Sequence, residues 1–174
     1  MTMRERSLIG LVGAMFFLLA VGIGGIYFAD AAVATDFTAK NIAPCLAHPF
    51  GTDWMGRDMF ARTLRGLALS TGLGIVSAAV SAGIALILGI AAAVLGKKVD
   101  AVISFLIDLV LGIPHILLLI LVTVALGRGF FGVAVGIALT HWPALTRVIR
   151  AEVIQLRESP YIQVAEKLGK SKWH

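Results

Sequence analysis

Charge is what this sequence has least of. Only 14% of its 174 residues are Asp, Glu, Lys or Arg, whereas soluble domains carry about a quarter. With 59% apolar residues and a mean hydropathy of +0.93, the chain cannot cover a water-facing surface, and the soluble globular class is excluded. Cysteine is nearly absent. Cys45 stands alone, which excludes an internal disulfide, a Cys-based zinc site and a CxxC redox pair. Aromatic residues make up 8% of the chain and form no alternating stripe with the basic ones. The net charge of +5 and the pI near 9.8 therefore describe topology flanking hydrophobic runs, and nucleic acid is excluded as a partner.

Catalytic constellations are missing as well. The four histidines, His48, His115, His141 and His174, are dispersed, with no i, i+4 pair, so no metal site is expected. No paired carboxylates and no Ser with a His and an acid in reach are discernible. Gly169-Lys170-Ser171 imitates the end of a phosphate-binding loop, but the glycine such a loop needs falls on Val164. No cofactor and no enzymatic activity are expected of this chain.

What is present is long apolar runs. A bilayer demands them, because a helix exterior in lipid must be apolar all round. The first, Leu8 to Phe28, follows Arg4 and Arg6. Ala32-Val33-Ala34 imitates a signal-peptide cleavage site, but the run exceeds the roughly 7–15 residues of a signal core, which favours a retained helix. Residues 29–66 are polar and irregular, and they end in a segment that Asp58 can cap. Arg62 and Arg65 lie on one face of it, which predicts a short amphipathic helix resting in the interface. The second run, Leu67 to Leu95, carries small residues suited to close helix packing. The third, Val102 to Leu126, contains Asp108, Pro114 and His115. Its aliphatic residues outweigh one buried charge, so it still inserts. The fourth, Phe130 to Leu145, is interrupted by Thr140, His141 and Pro143, and a re-entrant segment is its alternative.

These observations predict an all-α membrane protein of about four transmembrane helices, bathed in lipid. Its parts are an N-terminal helix (1–28), an extracytoplasmic segment (29–66), helices two to four (67–146) and a cytoplasmic tail (147–174). Placing both termini in the cytoplasm puts ten of the fifteen basic residues there: Arg4, Arg6, Lys97, Lys98, Arg147, Arg150, Arg157, Lys167, Lys170 and Lys172.

The tail is the informative part. Ser159 is an expected N-cap, Pro160 an expected first helical residue and Gly169 a stop. Tyr161, Val164, Ala165 and Leu168 then fall on one face of a short helix. Spacing alone allows either docking onto a partner or packing on the chain's own membrane domain. Asp108 is read as lining a solute path or as a hydrogen-bonding residue between helices, and Pro114 as a bend.

Tyr161-Ile162-Gln163-Val164-Ala165-Glu166-Lys167-Leu168-Gly169-Lys170-Ser171 resembles the EAA loop of binding-protein-dependent ABC importer permeases. The family's Glu-Ala-Ala falls on Gln163-Val164-Ala165, where two of three positions depart, and its glycine falls on Gly169. His48-Pro49-Phe50-Gly51-Thr52-Asp53-Trp54-Met55-Gly56-Arg57-Asp58 resembles the segment after the first helix in the dipeptide, oligopeptide and nickel group. Trp142-Pro143, Arg147, Arg150, Leu156-Arg157-Glu158 and the Asp108–Pro114 spacing also match that group, over roughly 44–174.

The resemblance implies a permease subunit that forms part of a solute path, for a peptide or a nickel complex. Its partners would be cytoplasmic ATP-binding subunits that hydrolyse ATP, a second permease subunit and an extracytoplasmic solute-binding protein. Tyr161, Gln163, Val164, Ala165, Leu168 and Gly169 would dock the ATPase. Gly51, Thr52, Asp53, Gly56, Arg57 and Asp58 would form an extracytoplasmic motif, read as a turn that orients the interfacial helix or as a contact to the binding protein. The family pattern continues beyond His174, which implies a fragment ending within the EAA loop. The rival expectation is a small four-helix membrane scaffold without ATPase coupling.

Overall fold

The structure, a computed structural model, describes residues 3–168. Among them lie six α-helices: α1 (Met3–Tyr27), α2 (Met59–Val94), α3 (Lys97–Leu111), α4 (His115–Ala125), α5 (Phe130–Arg157) and α6 (Pro160–Lys167). The chain divides into two compact units at Gly74–Ile75.

In the first unit α1, beyond its charged first turn, is apolar around its whole circumference and almost wholly exposed, as a helix surrounded by lipid should be. It packs antiparallel to the start of α2. The Phe28 and Phe60 rings meet edge to face at 5.8 Å, Gly24 faces Leu64, and Gly25 faces Ala68. A Cβ on Gly25 would stand 2.2 Å from that of Ala68, so this crossing needs a glycine. The separate interfacial helix expected before Gly66 does not form. Asp58 caps the segment as expected, its Oδ1 accepting the Ala61 amide at 2.9 Å, but α2 runs on from Met59 through Gly66 to Val94. One glycine in a helix interior costs only about 1 kcal/mol, too little to stop it. At 36 residues and about 1.5 Å per residue, α2 outruns the roughly 30 Å hydrocarbon layer.

In the second unit α2 and α5 run parallel in a fixed register. The Ser77 hydroxyl donates to the Ala134 carbonyl at 3.2 Å and Ser81 to Ala138 at 2.9 Å. Further along, Gly89 lies against Thr146 and Ile149. Ala92, Ile103, Ile107 and Trp142 form the core where α2, α3 and α5 meet.

The third apolar run bends at Pro114 as expected, but far more sharply than a kink within one helix. It forms two helices, α3 and α4, bent by 88° at the break. Pro114 has no N–H to continue the ladder and pushes Ile113 out of helical geometry. The fourth run, whose apolar sequence is broken by Thr140, His141 and Pro143, is one helix of 28 residues with Pro143 buried inside it. Packing overrides the proline because its neighbours Trp142 and Thr146 are buried too.

The bent pair has the reach of one crossing. It begins beside Arg150, which Asp100 binds, and ends where Gly127 and Thr123 crowd Gly132. Arg150 follows Gly132 by eighteen residues along α5, roughly 27 Å of helix, close to the hydrocarbon thickness. Parallel α2 and α5 also require the chain to return across the bilayer between them.

Candidate functional site

Residues 51–58, singled out by the family resemblance, close on themselves as a knot at the start of α2. Thr52 and Asp58 form an isolated antiparallel bridge. The Thr52 hydroxyl donates to the Ala39 carbonyl at 2.5 Å and accepts from the Ile42 amide at 2.9 Å. Asp53 gathers the amides of Met55 and Arg57 at 2.8 and 3.0 Å, the Arg57 Nε at 2.8 Å and the Arg62 guanidinium at 3.3 Å. Burial pushes its carboxyl up, but the Arg57 and Met55 hydrogen bonds outweigh that and hold it at about 2. Asp58 is also lowered: burial raises it, and the Ala61 amide and the His48 imidazole, 2.7 Å away, prevail. Gly51 and Gly56 adopt φ of +70° and +74°, the left-handed region that favours glycine.

Three arginines line the last half of α5. Arg147 pairs with Asp108 on α3, so the structure places the intramembrane carboxylate in an ion pair, with both side chains exposed on the surface of this chain. Arg150 holds Asp100 in a two-point grip, Nε and Nη2 each 2.6 Å from a carboxylate oxygen. Arg157 donates to the Ala93 carbonyl at the end of α2 at 2.5 Å. The sequence pattern marked these arginines and Asp108 but not the pairings, which join residues 39, 50 and 64 apart. It also missed that His115 and His141 come together, their rings edge to face at 4.9 Å. No local spacing signals such a contact.

Beyond Arg157 the chain turns through Glu158 into α6, which begins at Pro160 as expected. Ser159 does not cap it with its side chain. Its hydroxyl instead bonds back to the Leu156 carbonyl, while its own carbonyl accepts the Ile162 amide at 3.1 Å. Of the expected docking face, Tyr161, Val164 and Leu168 are 64%, 55% and 78% exposed. The Gln163 and Ala165 side chains and Gly169 lie outside what the structure describes.

A family model, described as the binding-protein-dependent transport system inner membrane component, matches residues 85–174. That stretch includes α3 to α6 and is more than half of the chain. The chain belongs to this family. Among relatives, the probable D,D-dipeptide transport system permease protein of Escherichia coli is 38% identical over 141 residues, covering 81% of this chain and 47% of the relative. The dipeptide transport system permease protein of Bacillus subtilis is 29% identical over 95% of this chain and 52% of its own length. The glutathione transport system permease protein of Pectobacterium atrosepticum is 32% identical over 97% and 57%. The chain thus spans about half the length of these family members. Like them it is a multi-pass membrane protein, and the family's matched region contains Asp108, the three arginines of α5 and the exposed face of α6.

Proposed function

We propose that this chain belongs to a permease subunit of an ABC importer, with α6 seated on a cytoplasmic ATP-binding subunit that performs the hydrolysis. The observation that carries this reading is the apolar face of α6. Tyr161, Val164 and Leu168 project into open space at the end of a membrane-embedded family member, rather than packing on their own domain. A helix that hides its apolar face against a partner is left in this state when the partner is absent.

The rest follows from this reading. The basic residues orient the polypeptide with both termini in the cytoplasm, which puts α6 on the side of ATP. The knot at 51–58 is then extracytoplasmic, where it sets the start of α2 and offers a surface to a solute-binding protein. An Asp108–Arg147 pair exposed on this chain has to meet protein or water rather than lipid, so its face is assigned to a second permease subunit or the solute path. The solute is a peptide, because the relatives above are named for dipeptide, D,D-dipeptide and glutathione transport. Those names do not support a nickel complex.

The test is co-purification from membranes of this chain with an ATPase carrying Walker motifs. Ala165→Arg with Gly169→Arg is expected to abolish the association while the chain still inserts. An association that survived both substitutions would refute docking through α6.

A further inference from the structure

Arg150 and Arg157 are seven residues apart, two helical turns, so they project from one face of α5. Both reach the short turn between α2 and α3. Arg157 donates to the Ala93 carbonyl, one of the last four of α2, which have no partner within the helix and carry its negative dipole end. Arg150 grips Asp100 at two points. Asp100 lies in the first turn of α3, where the positive dipole end favours a carboxylate. Between the two contacts the chain reverses at Gly96, with φ of +97°.

We propose that Arg150 and Arg157 are positioning residues that transmit the displacement of α6 to the membrane helices. The proposal rests on the docking role of α6. Arg157 is the last residue of α5, and α6 begins three residues later. A push on α6 therefore arrives at Arg157. Without the arginines it could be absorbed by swivelling at the Gly96 turn, a natural hinge because glycine has the widest backbone freedom. With them, the ends of α2, α3 and α5 move as one block. Planar guanidinium groups suit the task, because a two-point grip fixes orientation as well as distance. Arg147–Asp108 adds a second tie between α3 and α5, near the Gly112–Pro114 break, so the displacement reaches that bend.

The experiment uses the complete transporter containing this chain, reconstituted in vesicles, with ATP hydrolysis and uptake of labelled alanyl-alanine measured together. In Arg150→Gln with Arg157→Gln, ATPase association and hydrolysis are expected to persist. Uptake per ATP should fall about tenfold, within the 5–150-fold span of ordinary coupling energies. The charge exchange Asp100→Arg with Arg150→Asp should recover most of the Arg150 defect, and Arg157→Lys most of the Arg157 defect. Recovery by exchange identifies the pair itself and guards against a mere folding loss. Uptake per ATP unchanged in the double Gln variant would overturn the proposal. So would a drop not recovered by the exchange, or loss of ATPase association in the Gln variants. If the unsubstituted chain bound no ATPase, the docking role itself would fail.

Discussion

Gly56 passes so close to Asp36 that a Cβ built on it would stand 1.7 Å from the Asp36 carbonyl oxygen. Its φ of +74° would strain any L side chain as well. Gly56→Ala is therefore expected to open the loop between residues 36 and 58 rather than merely tighten it. Proteolysis from the outer side of sealed vesicles should cut this loop faster in the variant, while the helices stay inserted.

The Asp53 knot should respond to acid in one direction only. Its folded value of about 2 lies below the ordinary 3.8, so the charged form is the bound form. Its contribution is complete above pH 4 and disappears as the pH falls through 2. The Asp53 carboxyl carbon resonance should titrate near pH 2 in labelled protein. In Arg57→Gln, which removes the Nε donor, that midpoint should move upward.

Close approach, more than hydrogen bonding, should hold α2 to α5. Ser77→Ala and Ser81→Ala each remove one bond between helices, worth about 0.6 kcal/mol in a membrane. A Cβ on Gly89 would meet the Ile149 side chain at 2.8 Å and the Thr146 carbonyl at 3.1 Å. Gly89→Leu must therefore part the helices, at about 1–3 kcal/mol. Thermal melting in detergent should rank Gly89→Leu well below either serine variant.

Much of this fold was legible because lipid imposes one requirement. Each apolar run had to be helical, and α1, α5 and α6 begin or end within a few residues of where the runs and breakers placed them. Asp58 and Pro160 acted as start signals through chemistry confined to a single turn. What could not be read depends on distance. The fate of Pro114 and Pro143 is opposite although both are prolines in apolar runs. Pro143 sits between buried Trp142 and Thr146, whereas Pro114 follows Gly112 on exposed backbone. Likewise Arg147, Arg150 and Arg157 were visible as a pattern, but their partners are set by how α2 and α3 fold back. The exposed face of α6 was legible as periodicity, and resemblance supplied the docking role proposed for it.

The bent α3–α4 pair yields the last prediction. Were it a re-entrant loop, the turns before α3 and after α4 would lie on the same side of the membrane, and α5 would run antiparallel to α2. The Ser77–Ala134 and Ser81–Ala138 bonds require the reverse, because both positions advance by four residues together. Lys98 and Arg128, in those two regions, should therefore be reached from opposite sides. The single native thiol makes this measurable: Cys45 is exposed, and Cys45→Ser leaves a clean background. Lys98→Cys and Arg128→Cys, labelled separately in sealed vesicles with an impermeant maleimide, should react from opposite faces, with native Cys45 sharing the side of Arg128. Labelling of both from one face would mean that α3 and α4 dip into the bilayer without crossing it, and that the parallel register of α2 and α5 is wrong.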